Sequence, residues 1–429
     1  MSEKSLNPES YVKEEVEEEQ SPRPHKRVKT GTCSLEYADD KSLFLCSMEC
    51  YWDRPNFRPP PPRYPHQPWD SSYVVRSINL PDLLTSSSSE KLELRELARM
   101  DDKDFPGKDL PSRVGLPGRV GCGVLGSKIV IASGFKPNFD PDRFGPPYGP
   151  HPSTDAYAFD AHDPKQGIVK MPGALNGGKQ SPLMVEFAGK LYVLSYKWES
   201  VKSFEVFDPQ QGAWSVLPSY PDAARCYPYS TASYVIAGTK LFMSTRLVEP
   251  TVDSSICCFD FADRDPEWRR VPALGGYLPI AGQAVAVELP QPEHSNKRLL
   301  FSARVNYSDC CSMVVHLMSL DENQETISEI FQMNLPAELP HQPWPNDCHF
   351  FHLGGNNVFL VTTAVVGESA KSGIYTGGAV LFQFEFDISK VDTDRKNCFT
   401  IQFQPPRIFE YHTIPDCVSP PDTLGCFLL

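Results

Sequence analysis

The feature that most limits the fold of this chain is a fixed order of short apolar runs that recurs along it. Residues 181–218 carry four runs: Ser181 to Phe187, Gly189 to Leu194, Ser203 to Pro209 and Gly212 to Pro218. Each is rich in β-branched or aromatic residues and bounded by Gly, Pro or Asp, the composition of a short strand between tight turns. The next unit repeats the order with Ala232–Val235, Gly238–Met243, Ile256–Asp260 and Trp268–Pro272. The preceding unit does so with Gly126–Ile131, Ala156–Asp160 and Ile168–Pro172. A lone four-stranded unit cannot cover both of its faces, so such units must stack, and stacking around a ring removes the ends.

Looser copies lie further along. Leu299–Ser302 leads to Leu320-Asp321 and Leu335-Pro336, and Val358–Val361 leads to Phe386-Asp387 and Pro405. The aligned aspartates Asp160, Asp208, Asp260, Asp321 and Asp387 are spaced by 48, 52, 61 and 66 residues. A weaker N-terminal copy comprises Leu43–Ser47 and Tyr73–Pro81. This arrangement predicts six units. The run Thr423–Leu428 resembles Arg119–Val124, the innermost strand of the second unit, and is expected to close the ring with the first. Between the first two units, Ser87 and Glu90 have capping-box spacing ahead of Leu92, Leu94 and Leu97, which predicts one short inserted helix over Ser87–Leu97.

Four strands per repeat, an aromatic-Asp pair ending the third and Trp in the fourth resemble the kelch repeat of the galactose-oxidase-like propellers. Phe207 and Trp214 have the kelch spacing of seven, Phe259 and Trp268 carry a two-residue insertion, and the unit around Phe159 has no Trp. Of the kelch double glycine only Gly134 remains, in Ser133-Gly134-Phe135. The resemblance covers roughly 33–429 and is similar to the degenerate kelch proteins of plants, here without an F-box. It implies an all-β fold, a six-bladed kelch-type β-propeller. Residues 1–32 are expected to be a disordered tail, with an acidic run Glu14–Glu19 and a basic run Pro24–Lys29 and almost nothing to bury.

Composition narrows the function. The 42 prolines among 429 residues favour rigid turns over helix interiors. A net charge of −13, nearly all outside the tail, disfavours a phosphate backbone as partner. Thirteen cysteines without metal-type spacing, and an N-terminus with no apolar run, fit a reducing compartment, the nucleus or cytoplasm. The pairs Cys257-Cys258 and Cys310-Cys311 read as small apolar fillers at alternating strand positions. No apolar stretch approaches membrane-spanning length.

In kelch propellers, the loops entering the innermost strands and those joining strands two and three form the partner face. Carried over by position, Arg119, Lys179 and Arg225 ring the channel mouth, and the proline-rich loop from Lys136 to Thr154 presents Lys136, Arg143 and Tyr148. These residues suit an acidic or phosphorylated protein partner of a monomeric module. In the tail, Lys26-Arg27-Val28-Lys29 matches a nuclear-import signal, and Val12-Lys13-Glu14-Glu15 matches an acceptor for a small ubiquitin-like modifier at Lys13. Pro61-Pro62-Arg63-Tyr64 matches a WW-domain ligand.

The sequence has no Gly-x-Ser-x-Gly, His-Glu-x-x-His, Walker loop or Cys-x-x-Cys. The expectation is therefore a non-enzymatic adaptor without cofactor or metal. The alternative is a small-molecule enzyme or specifier protein using the channel. It draws on Glu249, Asp253 and Cys257, whose spacing resembles the iron ligands of the nitrile-specifier propellers, with Cys in place of His.

Overall fold

The computed structural model describes residues 41–51, 70–85, 92–101, 116–136, 151–195, 202–221, 231–246, 255–289, 295–305, 311–321, 324–335, 348–369, 374–387, 399–413 and 421–429. All belong to the compact unit Tyr37–Leu429. The fold is an all-β propeller whose strands match the repeats.

The second set is Gly121–Leu125, Lys128–Ala132, Ala156–Asp160 and Ile168–Lys170, running outward from the centre. The third is Leu183–Phe187, Lys190–Leu194, Phe204–Asp208 and Ala213–Val216. The fourth, Thr231–Ala237, Lys240–Arg246, Cys257–Asp260 and Trp268–Arg270, joins the fifth, Ala281–Glu288, Lys297–Val305, Cys311–Asp321 and Gln324–Asn334. Their innermost strands pair in parallel at Tyr234–Gln283 and Val235–Ala284. The sixth holds Cys348–His352, Asn357–Ser369, Ile374–Phe386 and Arg407–His412, with Ile401–Phe403 on the same third strand.

The first set mixes the two ends of the chain. Ser42–Tyr51, Asp70–Asn79 and Arg95–Asp101 take their innermost strand from Asp422–Leu428, which pairs antiparallel with Ser42–Tyr51 from Leu43–Leu428 to Met48–Asp422. The C-terminal run thus completes the first set, as its likeness to Arg119–Val124 implied.

The hydrophobic core lies between sets rather than within them, because each sheet is covered on both faces. A middle strand therefore reads as a continuous apolar run: Ile129, Val130, Ile131 and Ala132 are all buried. Ile129 and Ile131 pack with Phe44 and Cys46 of the first set, while Val130 and Ala132 pack with Leu191 and Val193 of the third. The same division continues around the ring. Phe204 meets Phe259 across the third junction, Phe242 meets Leu300 across the fourth, and Phe301 meets Phe382 across the fifth. Leu43 and Leu45 meet Val361 and Phe409, where the sixth set returns to the first. Cys257 and Cys258 occupy alternating buried positions, one facing each neighbour, as fillers do.

The repeat's signature residues have local physical roles. Phe207 and Trp214 are cross-strand partners with ring centroids 5.1 Å apart, and Phe259 and Trp268 repeat this at 5.2 Å. The two-residue insertion lengthens the intervening turn and leaves the pair intact. The aspartate ending the third strand opens that turn by accepting backbone N–H bonds, His162 to Asp160 at 3.0 Å, Gln210 to Asp208 at 2.9 Å and Ala262 to Asp260 at 3.1 Å.

The inserted helix is corrected in position. The described α-helix is Leu80–Thr85, started by Pro81 and by Asp82 in its first turn, whereas Leu92–Glu93 and Arg95–Asp101 are strands. In strands Leu92 and Leu94 pack on one side and Leu97 on the other, both sides being covered, and tertiary demand decides. The outer edge of Asp70–Asn79 needs a partner for its backbone groups, which Arg95–Asp101 supplies, and Leu92–Glu93 pairs in parallel with the sixth set at Phe409 and Glu410.

Candidate functional site

The innermost strands enclose a channel of about 490 Å³. Their common direction is visible in side-by-side contacts. A Cβ on Gly121 would lie 2.4 Å from the Pro182 carbonyl oxygen, and one on Gly123 would lie 2.7 Å from Met184 Cβ, so Gly121–Leu125 and Leu183–Phe187 advance together. The parallel pairing at Tyr234 and Gln283 repeats this between the fourth and fifth sets. Segments entering the innermost strands therefore share one mouth.

Three non-glycine residues with left-handed backbone gather at that mouth: Arg119 at φ 52°, Ser133 at φ 67° and Ser181 at φ 42°. Such a conformation costs about 1 kcal/mol or more per residue and persists only where the surroundings dictate it. Here they do. Ser181 N–H donates to the Arg119 carbonyl at 2.7 Å, Gly134 N–H to the Lys179 carbonyl at 2.8 Å, and Ser133 N–H to the Asp155 carbonyl at 2.8 Å. The Ser133 hydroxyl donates to the Ser153 carbonyl at 2.8 Å and accepts from Lys179 N–H. Gly134, at φ 84°, admits no side chain, since a Cβ there would meet the Gly118 carbonyl oxygen at 2.4 Å.

On this frame Arg119 is exposed, and its guanidinium makes no hydrogen bond among the described residues. On the adjoining first innermost strand, the exposed Asp422 carboxylate lies near enough to feel the Arg119 charge. Tyr277, in the segment entering the fifth innermost strand, is 58% exposed. It is fixed by its neighbour: Leu278 is buried, and its N–H donates to Ser244 Oγ at 2.9 Å. Arg and Tyr side chains on rigid backbone are the residues that most often anchor protein contacts.

Of the residues expected at the mouth, the structure places Arg119 there and corrects Lys179. The Lys179 side chain is fully buried and paired with Glu205, and its ammonium also donates to the Gly177 carbonyl at 2.8 Å. Glu205 further accepts Asn176 N–H at 2.7 Å, Asn176 Nδ2 at 2.8 Å and Gly177 N–H at 3.0 Å. Desolvation lowers the Lys179 pKa while Glu205 opposes it. A lysine so enclosed is a strut that holds the loop entering the third set, and no partner can reach it.

The backbone of Lys136 pairs with His151 in a two-stranded ribbon beside the mouth. Arg143, Tyr148 and Arg225 lie outside the described residues, as do the tail with Lys13, Lys26, Arg27 and Lys29, Pro61–Tyr64, and Glu249 and Asp253. Cys257, third member of the alternative iron set, is fully buried in a strand, its thiol 3.9 Å from Ser255 Oγ. The described residues include no cluster of three metal-ligating side chains. Sequence reasoning missed Tyr277, although Gly275-Gly276 just before it signals a turn, where the adjoining side chain is easily left in solvent. Nothing in Lys179-Gln180-Ser181 signals burial, which depends on a glutamate in the next strand pair.

The family model described as "Protein of unknown function (DUF1668)" matches residues 118–397, which span the second to fifth sets and the first three strands of the sixth. This chain belongs to that family. No curated protein matches this DUF1668 chain. Among solved structures it is similar to YjhT, at 14% identity and TM-score 0.40 over 78% of this chain and 94% of that one. A hypothetical selenium-binding protein from Sulfolobus tokodaii is similar at 8% identity and TM-score 0.39, over 90% and 93% of the two chains. The GH43B protein of the Bacteroides ovatus xyloglucan PUL is similar at 11% identity and TM-score 0.29, over 84% and 87%.

Proposed function

We propose that this DUF1668 protein is a non-enzymatic adaptor of kelch-type ancestry, which recognises an acidic or phosphorylated segment of a partner protein at the mouth where its innermost strands begin. The observation that carries the reading is the rim itself. Arg119 stands exposed on a left-handed backbone that Ser181 pins, and Tyr277 stands exposed on a loop anchored through Leu278. A contact surface built on fixed backbone loses little entropy on binding, which is what a recognition module requires. The aromatic pairs and Asp-capped turns support the kelch ancestry. The Lys26-Arg27-Val28-Lys29 run supports work in the nucleus as well as the cytoplasm.

The test is proximity labelling in cells with the intact chain against Arg119→Ala and Tyr277→Ala, alone and together. Loss of a discrete set of neighbours from the variants, with folding unchanged by circular dichroism, is expected. Identical neighbour sets for all four proteins would refute the reading.

A further inference from the structure

The channel below the rim has a chemistry of its own. Among its described lining residues there is no lysine or arginine, and Glu186 is the single carboxylate. Glu186 is exposed on the third innermost strand and has no partner among the described residues. On the sixth innermost strand, His349 also lines the channel, and its Nε2 is buried without a hydrogen-bond partner. Burial lowers the His349 pKa to about 4, so the ring is neutral near pH 7 and adds no positive charge. Tyr234 offers an aromatic face, with its hydroxyl donating to Gln283 Oε1 at 3.0 Å.

A buried ring nitrogen left unpaired is costly in a folded protein, and what His349 presents to the lumen is the part-exposed remainder of its side chain rather than the enclosed Nε2. The volume is that of a small-molecule pocket. With a carboxylate, an aromatic face and no lining cation, the wall favours positive charge and opposes negative charge.

We propose that the channel is a binding site for a small organic cation, an amine or quaternary ammonium whose charge is held by Glu186 and whose body occupies the lumen beside Tyr234 and His349. The site meets the rim at Val120 and Ser181, but neither Arg119 nor Tyr277 lines it, so its test is independent of the partner-binding reading.

The experiment is calorimetric titration of the full chain with three near-isosteres, benzylamine, benzyl alcohol and benzoate, repeated on Glu186→Gln and His349→Gln. Benzylamine is expected to bind, benzoate not to bind, and benzyl alcohol to bind at least about tenfold more weakly than the amine. Glu186→Gln should erase the preference for the amine. His349→Gln should weaken both the amine and the alcohol. Glu186 is exposed, so its variant should fold, and a thermal melt verifies this. Equal binding of amine and carboxylate, a Glu186→Gln protein that keeps the preference, or absence of binding by all three probes overturns the proposal.

Discussion

Replacing Lys179 with Met tests whether the mouth is held by a buried strut or offers a surface cation. The side chains of Lys179 and Glu205 are both fully buried, and Glu205 keeps three N–H donors from Asn176 and Gly177 after the lysine is gone. Those donors satisfy its lone pairs but leave a full negative charge uncompensated. Breaking a buried pair from one side costs about 3–5 kcal/mol, well beyond the roughly 0.5 kcal/mol typical of surface substitutions. Adding Glu205→Gln to Lys179→Met removes the stranded charge and keeps one oxygen for the two Asn176 donors, at the expense of the Gly177 N–H bond to the other carboxylate oxygen. The double variant should recover more than half of the loss, an interaction energy of at least about 1.5 kcal/mol between the two positions. Guanidinium unfolding detected by tryptophan fluorescence reads the parent, Lys179→Met, Glu205→Gln and the double variant, since Trp214 lies beyond Glu205 on the same hairpin. A Lys179→Met protein within about 0.5 kcal/mol of the parent that has lost its cellular neighbours would refute the strut and restore Lys179 as a contact residue.

Three other features give outcomes as specific. His316 is 1% exposed with neither ring nitrogen paired, so His316→Leu should stabilise the protein by about 1–2 kcal/mol in the same denaturation assay. Burial, with Arg304 adding to it, lowers the His316 pKa to about 4, so the unfolded chain takes up the proton first. Stability conferred by the neutral ring should be full above pH 6.5 and fall towards pH 4, by at most roughly 3 kcal/mol, and His316→Leu should flatten that slope. Ala188 is exposed at φ 50° in the turn after Leu183–Phe187, so Ala188→Gly should add about 1 kcal/mol of stability without altering binding. Removing residues 422–429 should abolish cooperative unfolding and promote aggregation, seen by light scattering, because Ser42–Tyr51 would become an unpaired apolar edge.

How much of this was legible in the sequence depended on how local the cause was. The Phe207–Trp214 pair and the Asp-capped turns arise from residues a few positions apart, so their spacing revealed them. Ring closure was legible because Thr423–Leu428 copies a strand whose place the repeat had already set. The segment Leu92–Leu97 misled because strands covered on both sides need no regular alternation, and the deciding factor was an unpaired strand edge contributed by Asp70–Asn79. Lys179 misled for a similar reason. Its position before an innermost strand matched that of Arg119, but Glu205 in the neighbouring hairpin draws one lysine inward while Arg119 has no such acceptor among the described residues. The strained serines Ser133 and Ser181 carry no sequence signal, since their backbone is imposed by hydrogen bonds between neighbouring sets.

The pairing of Ser42–Tyr51 with Asp422–Leu428 also sets an order of events during synthesis. The first set emerges early, yet its innermost strand is made last among the described strands, at about 5–20 residues per second. For tens of seconds at that rate, the nascent chain carries finished middle sets flanked by an open first one, with Leu43, Leu45 and their neighbours exposed. Chaperone capture should therefore concentrate on Ser42–Tyr51 until Asp422–Leu428 has been made, and ribosome stalling just before that strand should leave a nearly complete propeller that cannot lock.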